Sequence, residues 1–175
     1  MTSHQATVFA VAAVLAFWVV GAYNRMVRLR TALVERFAQV DEHYRQRHAL
    51  LERQLEMLAA ALASAGPRLD ALRAACRQAD AAREHAKARP GAASAVTSLR
   101  VAEDILADAR ARLPVQALPG AGLPELHSEL ATSDTALAFA RADFNAAVAA
   151  YNDSVRQFPT VLVARLFSFP AAALF

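Results

Sequence analysis

Charged side chains on an apolar stripe are the first place to look for chemistry, and this 175-residue chain has three of them. Asp41 lies on the inward stripe of one helical segment; Asp134 and Arg141 lie on that of another. A charge buried without a partner costs several kcal/mol. The pattern therefore predicts an internal ion pair, Arg141 with Asp41 across a helix interface or with Asp134 two turns away. In the alternative, the Arg141 stem lies along apolar surface while its head reaches water. Other groupings are weaker. His48 and Glu52, four residues apart, can share a cation, but two ligands fall short of a metal site. Glu103, Asp104 and Asp108 read as a solvated helix face rather than a catalytic pair. Cys76 is the only cysteine, which excludes an intrachain disulfide, and its helical neighbours Leu69, Leu72 and Ala79 suit a small packing residue. There is no phosphate-cradling glycine loop, Cys-x-x-Cys or His-Glu-x-x-His. Three residues before His43, His48, His85 and His127 stand Val40, Arg45, Ala82 and Pro124, not the glutamate of a di-iron bundle. The expectation is a non-enzymatic protein with no cofactor and no metal.

The elements that must position these residues begin with a membrane segment. Ala6 to Tyr23 is an 18-residue run without a charge, and Arg25, Arg28 and Arg30 follow it. As a helix it is about 27 Å long, close to the roughly 30 Å hydrocarbon core of a bilayer. Val20-Gly21-Ala22 has the small residues of a cleavage site, but the basic region that opens a signal peptide is missing before Ala6. Residues 1–23 therefore read as a retained single-pass anchor. The arginines after it place the N-terminus outside and the body in the cytoplasm, at the inner membrane. Arg25, Arg28 and Arg30 then face lipid, each drawn to anionic headgroups by about 1 kcal/mol. A pI of 9.6 invites a nucleic-acid reading. However, residues 25–53 hold seven arginines against four acids, while the rest of the chain is balanced at twelve of each. With no basic face away from the membrane, the partners expected are the bilayer and a protein of unknown identity, not nucleic acid.

The body reads as all-α. Pro and Gly fall at Gly66-Pro67, Pro90-Gly91, Pro114, Pro119 to Pro124, Pro159 and Pro170. They divide segments rich in Ala, Leu, Arg and Glu, all good helix formers. Apolar residues recur at three, four and seven in each segment. The first carries Val27, Val34, Phe37, Tyr44, Leu51, Leu55, Leu58 and Leu62; the last carries Leu126, Leu130, Leu137, Phe144, Val148, Tyr151, Val155 and Phe158. One-faced helices joined by short breaks predict an antiparallel four-helix bundle over residues 24–159, continuing from the transmembrane helix. In the last helix Phe144-Asn145 is repeated seven residues on by Tyr151-Asn152 and then Phe158-Pro159. The aromatics take one seam position, and the asparagines either bond a neighbouring helix or face water. The apolar tail, residues 160–175, carries Arg165, Phe167 and Phe169; it either caps the bundle or lies in the headgroup layer.

These residues resemble the LemA family. The likeness runs through Tyr23-Asn24, Val27, Leu29-Arg30, Val34, Val40-Asp41, Arg45 and Leu50-Leu51. It resumes more densely at Glu129-Leu130, Ala140-Arg141, Phe144-Asn145, Val148, Tyr151-Asn152, Phe158-Pro159, Phe169 and Phe175. The chain departs from the family pattern at Ala49 to Arg53, Leu113 to Val115, Asp134 and Ser168, as a divergent member would. The resemblance implies a long-helix bundle behind one N-terminal membrane helix and no common biochemical activity. A scaffold or adaptor at the cytoplasmic membrane face is the leading function. An exported ligand-sensing four-helix domain and a self-assembling, membrane-shaping homo-oligomer are the alternatives.

Overall fold

The computed structural model describes residues 3–61, 66–113 and 123–175. Leu62, Pro114, Val115 and Pro119 lie outside the described residues. All described elements are helical: α1 (Ser3–Ala61), α2 (Gly66–Ala88), α3 (Ala93–Ala111), α4 (Leu123–Arg156) and α5 (Thr160–Leu166). The apolar N-terminal stretch and the first bundle helix are one element of 59 residues, about 88 Å long. The sequence explains the continuity. Between Ala6 and Ala61 there is no proline and only Gly21, and a methyl group on that glycine would meet nothing within 4 Å among the described residues. The apolar stretch of α1 is long enough to cross a membrane, and its most apolar 18-residue window has no buried residue.

Helix α2 opens with Pro67 in its first turn, where the missing N–H has no partner to lose. Helix α4 opens with Pro124 and with Glu125, an acid favoured beside the positive helix end. Contacts between α1 and α4 run in opposite order along the two helices: Arg53 to Glu129, Arg47 to Asp134, Phe37 to Phe144. That order makes the pair antiparallel. α2 packs on α3 and on α1, which completes the bundle.

The buried face of α1 departs from the predicted stripe at its lower end. Val27 and Val34 are exposed, and Met26, Leu33, Phe37, Val40 and Tyr44 form the core instead. The predicted stripe keeps strict sevens, whereas a straight α-helix drifts about 20° per heptad. Phe158, expected at the seam, is 77% exposed because α4 ends at Arg156 and its periodicity ends with it.

The α2–α3 hairpin is shorter than its neighbours and turns at the level of Leu33. Gly91 in that turn has φ +79°, and a methyl group there would lie 3.5 Å from Leu33. Below this level the groove between α1 and α4 has lost two helices. α5 and the extended segment after it fill the space, burying Val163, Ala164 and Phe169 against Ala22, Met26 and Tyr151. The tail is therefore built into the bundle rather than appended to it.

Candidate functional site

Two features concentrate polar chemistry. The first is a belt of charge across the middle of the bundle, between two separate apolar clusters. Arg83 of α2 donates to Asp41 of α1 at 2.5 Å and to Asp80 at 2.8 and 3.0 Å. Asp41 also meets Lys87 at 3.2 Å. On the other side, Arg47 of α1 binds Glu103 of α3 and lies 3.6 Å from Asp134 of α4. Arg110 of α3 closes the circuit on Asp134 at 3.1 Å. All four bundle helices are thus joined by opposite charges, and Asp41, Arg47 and Arg83 are buried.

The electrostatics reflect that burial. Desolvation opposes the charge on Arg83, but its hydrogen bonds to Asp41 and Asp80 outweigh it and hold the guanidinium above its ordinary pKa. Burial would raise Asp80, yet the Arg83 bond and charge win and keep it below the usual carboxylate range. Burial, then the Arg47 charge, push the His48 imidazole, 3.5 Å from Asp80, below the ordinary histidine value. Burial, reinforced by Glu103, raises the Tyr44 phenol to about 12. Tyr44 Oη, Arg47 Nε, His48 Nε2 and Glu103 Oε1 are buried without a hydrogen-bond partner among the described residues. Each such group costs about 1–3 kcal/mol. Buried ion pairs as a class add little net stability, and apolar residues of equal volume often do better. What charged groups can supply is register, because sliding one helix breaks several pairs together.

The second feature is a strap, residues 168–175, held on α4 by main-chain recognition. Asn152 donates to the Ala172 carbonyl and accepts from the Ala172 N–H, both at 2.8 Å. Asn145 accepts from the Phe175 N–H at 2.9 Å and donates to its carbonyl at 3.5 Å. The Tyr151 hydroxyl donates to the Pro170 carbonyl at 2.8 Å, and its burial raises the phenol pKa. The spacing is a matter of commensurate lengths. Seven helical residues rise about 10.5 Å, and three extended residues span about 10 Å. Asparagines seven apart therefore meet strap residues three apart. Phe175 packs between Phe37 and Phe144, with ring centroids 6.3 and 5.2 Å away. The Ala173 N–H donates to the Gly91 carbonyl at 2.8 Å, and a methyl on Gly91 would lie 2.9 Å from Ala172.

Several expected roles change. Arg141 pairs with neither Asp41 nor Asp134; its guanidinium lies 4.9 Å over the Phe175 ring. Helical periodicity gives no sign of the strap, and the strap's aromatic end takes the cation that the aspartates were expected to hold. Glu103 is not on a solvated face but in the belt. Arg83 was missed, though its signal was legible: Leu69, Leu72, Ala79 and Ala86 share one face of α2, and position 83 falls on that face four residues after Ala79 and three before Ala86. Arg47 lies likewise between Tyr44 and Leu51 on α1. Of the residues expected to face lipid, Phe169 is buried and meets Tyr23 edge-on at 5.7 Å. Phe167 is half-exposed and packs on Tyr23 at 4.9 Å. Asn24, Arg25, Arg28, Arg30 and Arg165 are exposed, and Pro159 precedes α5. Among the described residues no three His, Cys, Asp or Glu side chains group as metal ligands. Burial, with Glu52 nearby, pushes the half-buried Cys76 thiol up, away from nucleophile chemistry.

A family model for the LemA family matches residues 36–175, which take in the belt, α4 and the strap but not the apolar part of α1. No curated protein and no solved structure matches the chain.

Proposed function

The chain belongs to the LemA family, and on that footing we propose that it is a non-enzymatic, single-pass membrane scaffold with its bundle in the cytoplasm. The observation that carries this reading is the unbroken α1, which joins a membrane-length apolar stretch to the bundle core without a linker. A flexible tether would let the body sample a wide volume; a continuous helix fixes its distance and attitude to the bilayer. That geometry suits a protein that presents a surface to membrane neighbours. The family is not a known enzyme family, which agrees with a presenting role. Arg25, Arg28 and Arg30 just after the apolar stretch support the cytoplasmic orientation.

The test is a reporter fused after Phe175 that works in only one compartment, paired with proximity labelling from the same end. Cytoplasmic activity with a reproducible set of labelled membrane proteins supports the scaffold. Activity only on the outer side would overturn it in favour of an exported sensing domain.

A further inference from the structure

We propose that the outward face of α5 is a second membrane contact, a short interfacial helix resting on the bilayer that α1 crosses. This contact presupposes the membrane anchoring of α1 and adds to it a lipid-binding surface in the C-terminal segment. Because α1 is unbroken, position along it measures height above the membrane. The first charge after the apolar run is Arg25. The α5 region meets α1 at that height: Phe167 and Phe169 pack on Tyr23, and Ala22 and Met26 share a core with Val163 and Ala164. Even Val19, a full turn inside the apolar run, packs against this cluster. The lower end of the bundle thus overlaps the last turn of the span.

The side of α5 turned away from the bundle is apolar. Leu162 and Leu166 are 57% and 74% exposed, and Phe158, four residues before Leu162, is 77% exposed. Spacing of four puts Leu162 and Leu166 on one face of α5, and Phe158 lies in the turn that precedes the helix. Arg165 is exposed beside them, and no acidic residue occurs after Asp153. A compact apolar patch with a cation, set at headgroup height beside a transmembrane helix, has the makeup of a helix that lies in the interface. The occupant is the lipid surface, because continuity with the span leaves this patch facing the bilayer boundary. The strap's asparagine bonds supply what an exposed seven-residue helix lacks, a fixed support behind it.

The experiment uses the full chain, with Cys76→Ser as background, reconstituted in vesicles of mixed zwitterionic and anionic phospholipid. A polarity-sensitive fluorophore is placed in turn on Phe9→Cys, Leu162→Cys, Leu166→Cys and Phe139→Cys, all exposed in the protein. Quenching by lipid-borne nitroxide is compared with quenching by aqueous iodide. Positions 162 and 166 are expected to follow position 9, with severalfold stronger lipid quenching and weaker iodide quenching than position 139. If position 9 is lipid-quenched while 162 and 166 behave like 139, the second contact is wrong and the anchor stands. If position 9 is itself iodide-accessible, the anchoring fails and the second contact falls with it.

Discussion

The lower and upper halves of the bundle solve the same packing problem with different materials. Above the charged belt the core is Leu and Ala from four helices, including Leu51, Leu58, Leu72, Leu106 and Leu130. Below it the core is rich in aromatics, with Phe37, Phe144 and Phe175 in ring contact and Tyr151 on the same α4 face. The upper half is closed by repeating helix faces, each of which could be read from its own segment. In the lower half two of the four helices stop short, and an extended segment replaces them. A helix brings its own hydrogen bonds, whereas a strap brings bare N–H and C=O groups that something must satisfy. Asn145, Tyr151 and Asn152 do so. The difference teaches that an extended chain can substitute for a helix in a bundle when polar side chains of the neighbouring helix complete its backbone.

Truncating Phe144 to alanine, with Phe37 and Phe175 packed around it, should cost about 4 kcal/mol, the scale for a deleted core aromatic. The same change at Leu130 should cost about 3 kcal/mol. The halves should differ in how far the damage spreads. Phe144→Ala should also strip hydrogen-exchange protection from Ala172 and Ala173, while Leu130→Ala leaves those amides protected. Equal loss in both variants would erase the contrast.

Arg83→Ala attacks the boundary between the halves and should cost about 3 kcal/mol in chemical denaturation, because it removes the buried partner of Asp41 and leaves it only the half-exposed Lys87. Adding Asp41→Leu should recover most of that loss. Failure to recover would mean that the guanidinium does more than neutralise its partner.

Asn152→Ala removes both bonds to Ala172 and should cost about 2 kcal/mol, at about 1 kcal/mol per bond. Its effect should stay local, exposing strap amides to exchange while the Leu-rich half keeps its protection. Arg141→Ala should cost less than about 1 kcal/mol, the value of one cation–π contact; a loss near 3 kcal/mol would restore a buried ion pair. The smallest effect is a pH response. The unfolded chain protonates His48 near pH 6.5, while burial lowers the folded pKa. The unfolded state then binds more protons below about that pH, so stability should fall as pH drops from about 7.5 to about 5.5. His48→Gln should flatten that slope, and an unchanged slope would place the pH sensitivity elsewhere.

Helix identity and order were legible because Ala, Leu and Arg propensity and the three-four spacing agreed along each segment. The ion partners were not. Asp41 and Asp134 stood out as charges on apolar stripes, but pairing depends on which helices are neighbours at that height, and α2 and α3 supplied the arginines. The Asn145 and Asn152 repeat was visible as a pattern whose purpose was not. Its partner is backbone without periodicity, in a tail whose only signal is being apolar. Val27 and Val34 show the same limit in miniature, since a seven-residue count cannot register the drift of a straight helix.

The proposed scaffold rests on α1 being retained in the bilayer as one piece with the bundle. Native membranes should be washed with alkaline carbonate and the protein recovered for intact-mass measurement. The chain is predicted to stay with the membrane pellet and to keep its apolar N-terminal segment. A species released into the wash, with its N-terminus near Tyr23, would contradict a retained anchor.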